Sequence, residues 1–150
     1  MSLETEVMSL MKDAMKNKDE AMLRGLRAIK AEIIKAKTDP GANGEISADT
    51  EIKLLQKLVK QRKDSLAIYE QQSRPDLAVK ESEEIAIIEK FLPAQMSEED
   101  VKAAVQAIIT ELGASGPQDL GKVMGLATKQ LAGQADGKII SAIAKSLLTA

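Results

Sequence analysis

Cysteine, histidine and tryptophan are absent from this chain of 150 residues, and Tyr69 and Phe91 are its only aromatic side chains. Without cysteine there is no disulfide, and without cysteine and histidine a zinc site loses its usual ligands, so no metal is expected. Neither a Ser-His-Asp triad nor a Cys-His pair can be assembled, and no side chain has an unperturbed pKa near neutrality. No catalytic residue is therefore assigned. No Gly-rich phosphate loop occurs either, and no cofactor is expected. Nowhere do about 18 apolar residues follow one another, which excludes a membrane-spanning helix and leaves no membrane among the expected partners. The opening MSLETEVMSL lacks a basic segment followed by an apolar run, and on that ground a cytoplasmic location is expected.

What is present is an apolar fraction of 44%, enough for a core, drawn from Leu, Ile, Val, Met and Ala. Those residues suit helix-on-helix packing, and the fold class that follows is all-α. Leu3, Val7, Leu10, Met11 and Ala14 keep the spacing of one helical face, as do Leu23, Leu26, Ile29, Ile33 and Ala36. The segment TDPGANGEIS, residues 38–47, makes a long turn, and Ser47 is placed to cap a third helix carrying Ile52, Leu55, Leu58 and Val59. Pro75 suits the first turn of a fourth helix, which Pro93 stops. Ser97, followed by Glu98, Glu99 and Asp100, opens a fifth helix, closed by Gly113.

Composition shifts near FLPAQMS, residues 91–97. Residues 1–95 hold 16 Lys/Arg against 17 Asp/Glu, whereas residues 96–150 hold 5 against 6. The expected organisation is an N-terminal helical bundle at residues 1–93 and a small three-helix C-terminal lobe at residues 96–150.

Residues 116–148, GPQDLGKVMGLATKQLAGQADGKIISAIAKSLL, contain five of the nine glycines inside helical sequence. A helix from Gly116-Pro117 has Leu120, Val123, Met124, Ala127 and Leu131 as its core face, with Gly121 and Gly125 four apart on a separate stripe and Lys122 and Lys129 beside it. Asp136 is placed to cap a last helix whose Lys138 and Lys145 are again seven apart. Two interior glycines cost about 2 kcal/mol relative to alanine, so something approaches their bare backbone: another helix or a ligand. Exposed backbone, helix N-termini at Pro117 and Asp136 and spaced lysines suit a phosphate backbone. With few aromatic side chains for base stacking, a folded RNA recognised by shape is the expected ligand, and DNA is not.

In the first half, Arg24, Arg27, Lys30, Lys35 and Lys37, with Lys60, Arg62 and Lys63, make a basic patch if their helices are neighbours. Glu81, Glu83, Glu84 and Glu89 instead offer them partners for an ion network, pairing Arg62 with Glu81 or Glu84; Arg74 with Asp76 joins the third and fourth helices on the same reading. Glu83 and Glu84, adjacent in sequence, diverge around a helix and do not form a catalytic dyad.

The stretches LRAIKAEI, KQRKDSLAIYEQQSRPDLAVKESEEIAIIEKFLPAQMSEEDV and GKVMGLATKQLAGQADGKIISAIAKSLL resemble the GatB/YqeY family over nearly the whole chain. That family includes the helical tail of the B subunit of the glutamyl-tRNA/aspartyl-tRNA amidotransferase and free-standing proteins of this length. The resemblance implies a helical bundle followed by a three-helix lobe that holds the body of a tRNA, while amide transfer occurs in other domains. A glutamine-dependent carbon-nitrogen ligase label, where attached to the family, follows from that larger enzyme. The expected function is a non-catalytic tRNA-binding adaptor whose RNA contacts are Gly121, Lys122, Gly125, Lys129, Gly137, Lys138 and Lys145. The alternative is a protein-interaction module that docks on an amidotransferase or an aminoacyl-tRNA synthetase without touching RNA.

Overall fold

Ser2, Asp19, Ser47 and Ser97 each stand one residue ahead of a helix, and each turns its side-chain oxygen back to accept an N–H that the first helical turn leaves unpaired. In the computed structural model, which describes residues 2–149, the donors are Thr5 at 3.2 Å, Met22 at 3.0 Å, Thr50 at 3.2 Å and Asp100 at 3.1 Å. These caps fix the starts of α1 (Leu3–Lys16), α2 (Glu20–Lys37), α3 (Ala48–Gln71) and α5 (Glu98–Leu112). Between α3 and α5, α4 (Pro75–Glu89) begins on a proline, whose missing N–H costs nothing at that position. Gly113 ends α5 in the left-handed region at φ 64°, where a side chain is disfavoured. The remaining helices are α6 (Leu120–Gln130) and α7 (Gly137–Thr149). Among the described residues there is no strand, and the protein is all-α.

One boundary differs from the sequence reading. The helix expected from Gly116-Pro117 begins as a 3-10 turn at Pro117–Asp119, and regular α-helix starts only at Leu120. The Asp119 carboxylate accepts the Ser115 N–H at 3.0 Å, holding the chain in the tighter turn.

The chain divides into two compact units, Met1–Leu92 and Pro93–Ala150. In the first, α1 and α2 form a hairpin, α3 and α4 form another, and Leu26, Ile29, Ile33, Leu55 and Ile88 are enclosed between them. In the second, α5, α6 and α7 enclose Val101, Val105, Ile108, Val123 and Ile140. Each such side chain stabilises its unit by about 1.5–3 kcal/mol relative to exposure. Among the described residues, no helix is long and apolar enough to cross a membrane.

Candidate nucleic-acid interface

The core face of α6 is what the spacing implies, with Val123 and Ala127 buried and Leu131 closing it. Off that face Leu126 is half-buried against the core, and the glycines and lysines are open. Gly121, Lys122, Gly125 and Lys129 are exposed on α6, and Gly137, Lys138 and Lys145 are exposed on α7. A methyl group built on Gly121, Gly125 or Gly137 would meet no atom within 4 Å. Helix crossing therefore does not account for the two α6 glycines: α5 and α7 pack on other faces, and the bare stripe faces solvent. Thr128, one turn further along the same stripe, folds its hydroxyl back to donate to the Met124 carbonyl at 2.7 Å, which keeps that surface low.

The turn between α6 and α7 is pinned from the segment ahead of α5. Gln95 donates through Nε2 to the Gly133 carbonyl at 2.7 Å, the Met96 N–H donates to the Gln134 carbonyl at 2.9 Å, and Gly133 takes φ 76°. Asp136 caps α7 as expected, accepting the Lys138 N–H at 3.0 Å while its carbonyl takes the Ile140 N–H. This cap also narrows the sequence reading. The carboxylate at the start of α7 occupies an amide that a phosphate would use, and places a like charge beside it. At the other proposed N-terminus, Pro117 has no N–H and Asp119 supplies a second carboxylate. The features open to an anion are thus the glycine stripe and Lys122, Lys129 and Lys145, which make no ion pair among the described residues.

The basic residues of the first unit are disposed differently. Arg24 reaches Glu83 at 2.6 Å and Glu84 at 3.8 Å, Arg62 reaches Glu84 at 3.4 Å, and Lys63 reaches Glu89 at 3.4 Å. Lys57 pairs with Glu32 and Lys37 with Glu4. The ion network absorbs much of the basic patch and ties α2 and α3 to α4. Arg74 does not join α3 to α4 as expected: it precedes α4 and clasps Asp76 two residues on, an exposed local pair at 3.0 Å. That hydrogen bond raises the Arg74 pKa and lowers that of Asp76. Glu81 is held above the ordinary glutamate value, chiefly by burial and next by Glu84, with Arg62 opposing. An open cleft of about 350 Å³ at the α3–α4 turn, lined by Leu66, Tyr69, Arg74, Pro75 and Val79, contains the unit's only tyrosine.

Fold and surface together define an all-α protein of two helical units, the second presenting a bare glycine face beside lysines. The chain belongs to the Yqey-like protein family, whose model matches residues 4–148. It is similar to two fungal proteins named "Altered inheritance of mitochondria protein 41, mitochondrial". The one from Clavispora lusitaniae is 35% identical over 107 residues, 70% of this chain and 61% of the relative. The one from Kluyveromyces lactis is 38% identical over 86 residues, 56% of this chain and 43% of the relative. The chain thus spans less than two thirds of the length of either. These names overturn the cytoplasmic placement, because both relatives are named as mitochondrial proteins.

Proposed function

We propose that the second unit is a non-catalytic adaptor that holds the body of a tRNA by its phosphate backbone and shape. The observation that carries this reading is the open stripe of Gly121 and Gly125. Two glycines inside a helix cost about 2 kcal/mol, and nothing in the unit packs against them to offset it. A bare backbone flanked by Lys122 and Lys129 on α6, with Gly137, Lys138 and Lys145 on α7, lets a phosphodiester chain approach closely while cations neutralise it. The scarcity of aromatic rings favours a folded RNA over splayed bases. The resemblance to the amidotransferase tail points to tRNA as that folded RNA, and to an amidotransferase or synthetase as the enzyme served. The compartment carried over from the relatives' names is the mitochondrion.

The test is a filter or gel-shift titration with total tRNA over a range of salt. With Lys122, Lys129, Lys138 and Lys145 as the phosphate-binding side chains, log K should fall linearly with log salt at a slope of about −3 to −4. Changing Lys122 and Lys129 to glutamine should reduce the magnitude of that slope by about one for each lysine replaced. Binding that is indifferent to salt, or a slope the glutamine variants leave unchanged, overturns the reading.

A further inference from the structure

α1 is the outer helix of the first unit: its apolar face is covered by α2, and its other flank is left open. Met8 and Met15 on α1 and Ile34 on α2 remain 44%, 54% and 50% exposed, three of the largest apolar side chains that the unit leaves in solvent. One ion pair shows that they share a surface. Glu4 and Lys37 meet at 2.6 Å across the antiparallel hairpin, which fixes which flanks of α1 and α2 lie side by side. At 3.6 residues per turn, Met8 and Met15 fall within about 40° of Glu4 on α1, and Lys30 and Ile34 within about 60° of Lys37 on α2. The two stripes therefore line one seam.

The charge along that seam has one dominant sign. Lys12 lies between the two methionines at helical spacing, and Arg27 and Lys30 lie seven and four residues before Ile34. None of these three cations takes part in the ion network described above. The acids on the same flanks are Glu4, already held by Lys37, and Glu20 at the hairpin end. Apolar groups along a seam between cations are complementary to one amphipathic helix with an acidic rim.

We infer that the α1–α2 seam is the docking site for an acidic amphipathic helix of a partner protein. Met8 and Met15 are two turns apart, about 10 Å along the axis, which matches apolar residues at i and i+7 of a helix laid along the seam. Methionine adapts to partners of different shape and suits such a contact. A bilayer is the poorer match, because it takes apolar side chains from the crest of one helix, and the apolar crest of α1 is already buried on α2. The site lies in the first unit, and its test uses no RNA, so its outcome is independent of the tRNA reading.

The experiment titrates the full isotope-labelled chain with three designed helical peptides of about 18 residues. One carries leucines at i, i+4 and i+7 flanked by glutamates, the second has lysines in place of the glutamates, and the third keeps the acids without the leucines. The first should bind with amide shifts confined to α1 and α2, and the other two should not. Met8→Glu with Ile34→Glu, both at exposed positions, should weaken binding by about tenfold or more, and Arg27→Glu with Lys30→Glu should invert the preference between the acidic and basic peptides. No binding by the first peptide, equal binding of the first two, or shifts elsewhere overturns the inference. So does a response only to vesicles of anionic phospholipid, which assigns the seam to a lipid surface. A free chain that sediments as a dimer until Met8 and Ile34 are changed assigns it to a second copy and overturns the inference as well.

Discussion

Gly25 and Gly121 are both glycines inside α-helices, and the two units use them in opposite ways. Gly25 is buried in α2 against α4, where an added methyl group would lie 2.7 Å from Cγ2 of Ile87, closer than carbon atoms approach. There the missing side chain lets two helices close. Gly121 and its neighbour Gly125 have nothing within reach, so the same missing side chain leaves backbone open to whatever comes from outside. Charge divides in the same manner. In the first unit, Arg24 and Arg62 pair with glutamates of α4; in the second, Lys122, Lys129 and Lys145 point to solvent without acidic partners among the described residues. A residue type says little about its use until its surroundings are known.

The largest effect expected is at Gly25. Gly25→Val forces α2 away from Ile87 and should destabilise the first unit by about 3 kcal/mol in urea unfolding, the upper end of overpacking costs. Combining it with Ile87→Ala should recover a large part of that loss, since the cavity made by one change admits the other. An additive double variant would show that Ile87 is not what Gly25 accommodates.

The matched change in the second unit has the opposite sign. Gly121→Ala with Gly125→Ala should stabilise it by up to about 2 kcal/mol, because alanine favours the helix and meets nothing. tRNA affinity should nevertheless fall, as two methyl groups hold the phosphates off the backbone. A destabilised double variant would erase the contrast with Gly25.

A smaller loss is expected at Glu84, whose side chain is 15% exposed and lies within 4 Å of both Arg24 and Arg62. The Nε atoms of those arginines are buried without a hydrogen-bond partner, and Glu84 is the counter-charge that the two share, although Arg24 also reaches Glu83 at 2.6 Å. Glu84→Gln removes it and should cost about 1 kcal/mol, between the values for exposed and fully buried pairs. Lys129→Gln, at an unpaired solvent position, should change stability by less than about 0.5 kcal/mol. Equal effects would mean the network contributes no more than isolated surface charge.

Much of this architecture is legible in local chemistry. Ser47, Ser97 and Asp136 cap the helices their positions imply, Pro75 opens α4, and Gly113 takes the left-handed turn that ends α5. These signals act within a few residues, so sequence carries them. What sequence does not carry is distance across the fold. The spacing of Gly121 and Gly125 allows either a crossing helix or open solvent, and only the packing of α5 and α7 decides between them. Gly25 has no local signature, because the residue it makes room for, Ile87, is remote in the chain. The candidate site is legible as a set of residue types, but the carboxylate of Asp136, read from sequence as a helix cap, also occupies the Lys138 amide at the start of α7, and Asp119 places a second carboxylate at the start of α6.

The smallest effect tests whether the charges of the first unit are coupled as their positions imply. Burial and the neighbouring Glu84 hold the Glu81 pKa above the ordinary glutamate value, against the pull of Arg62. The folded chain therefore binds this proton more tightly than the unfolded chain does. The group favours folding most when protonated, below its ordinary pKa, and that contribution is lost as pH rises through the raised value. Glu81→Gln stays neutral throughout. It should leave stability close to the parent's below the carboxylate range and gain on the parent as pH rises towards neutrality. Paired urea titrations at about pH 3 and about pH 7 read this as a difference of differences, in which the other carboxylates cancel. The opposite sign would mean that Arg62 holds Glu81 in its charged form, and that the network extends one residue further than the distances to Glu84 show.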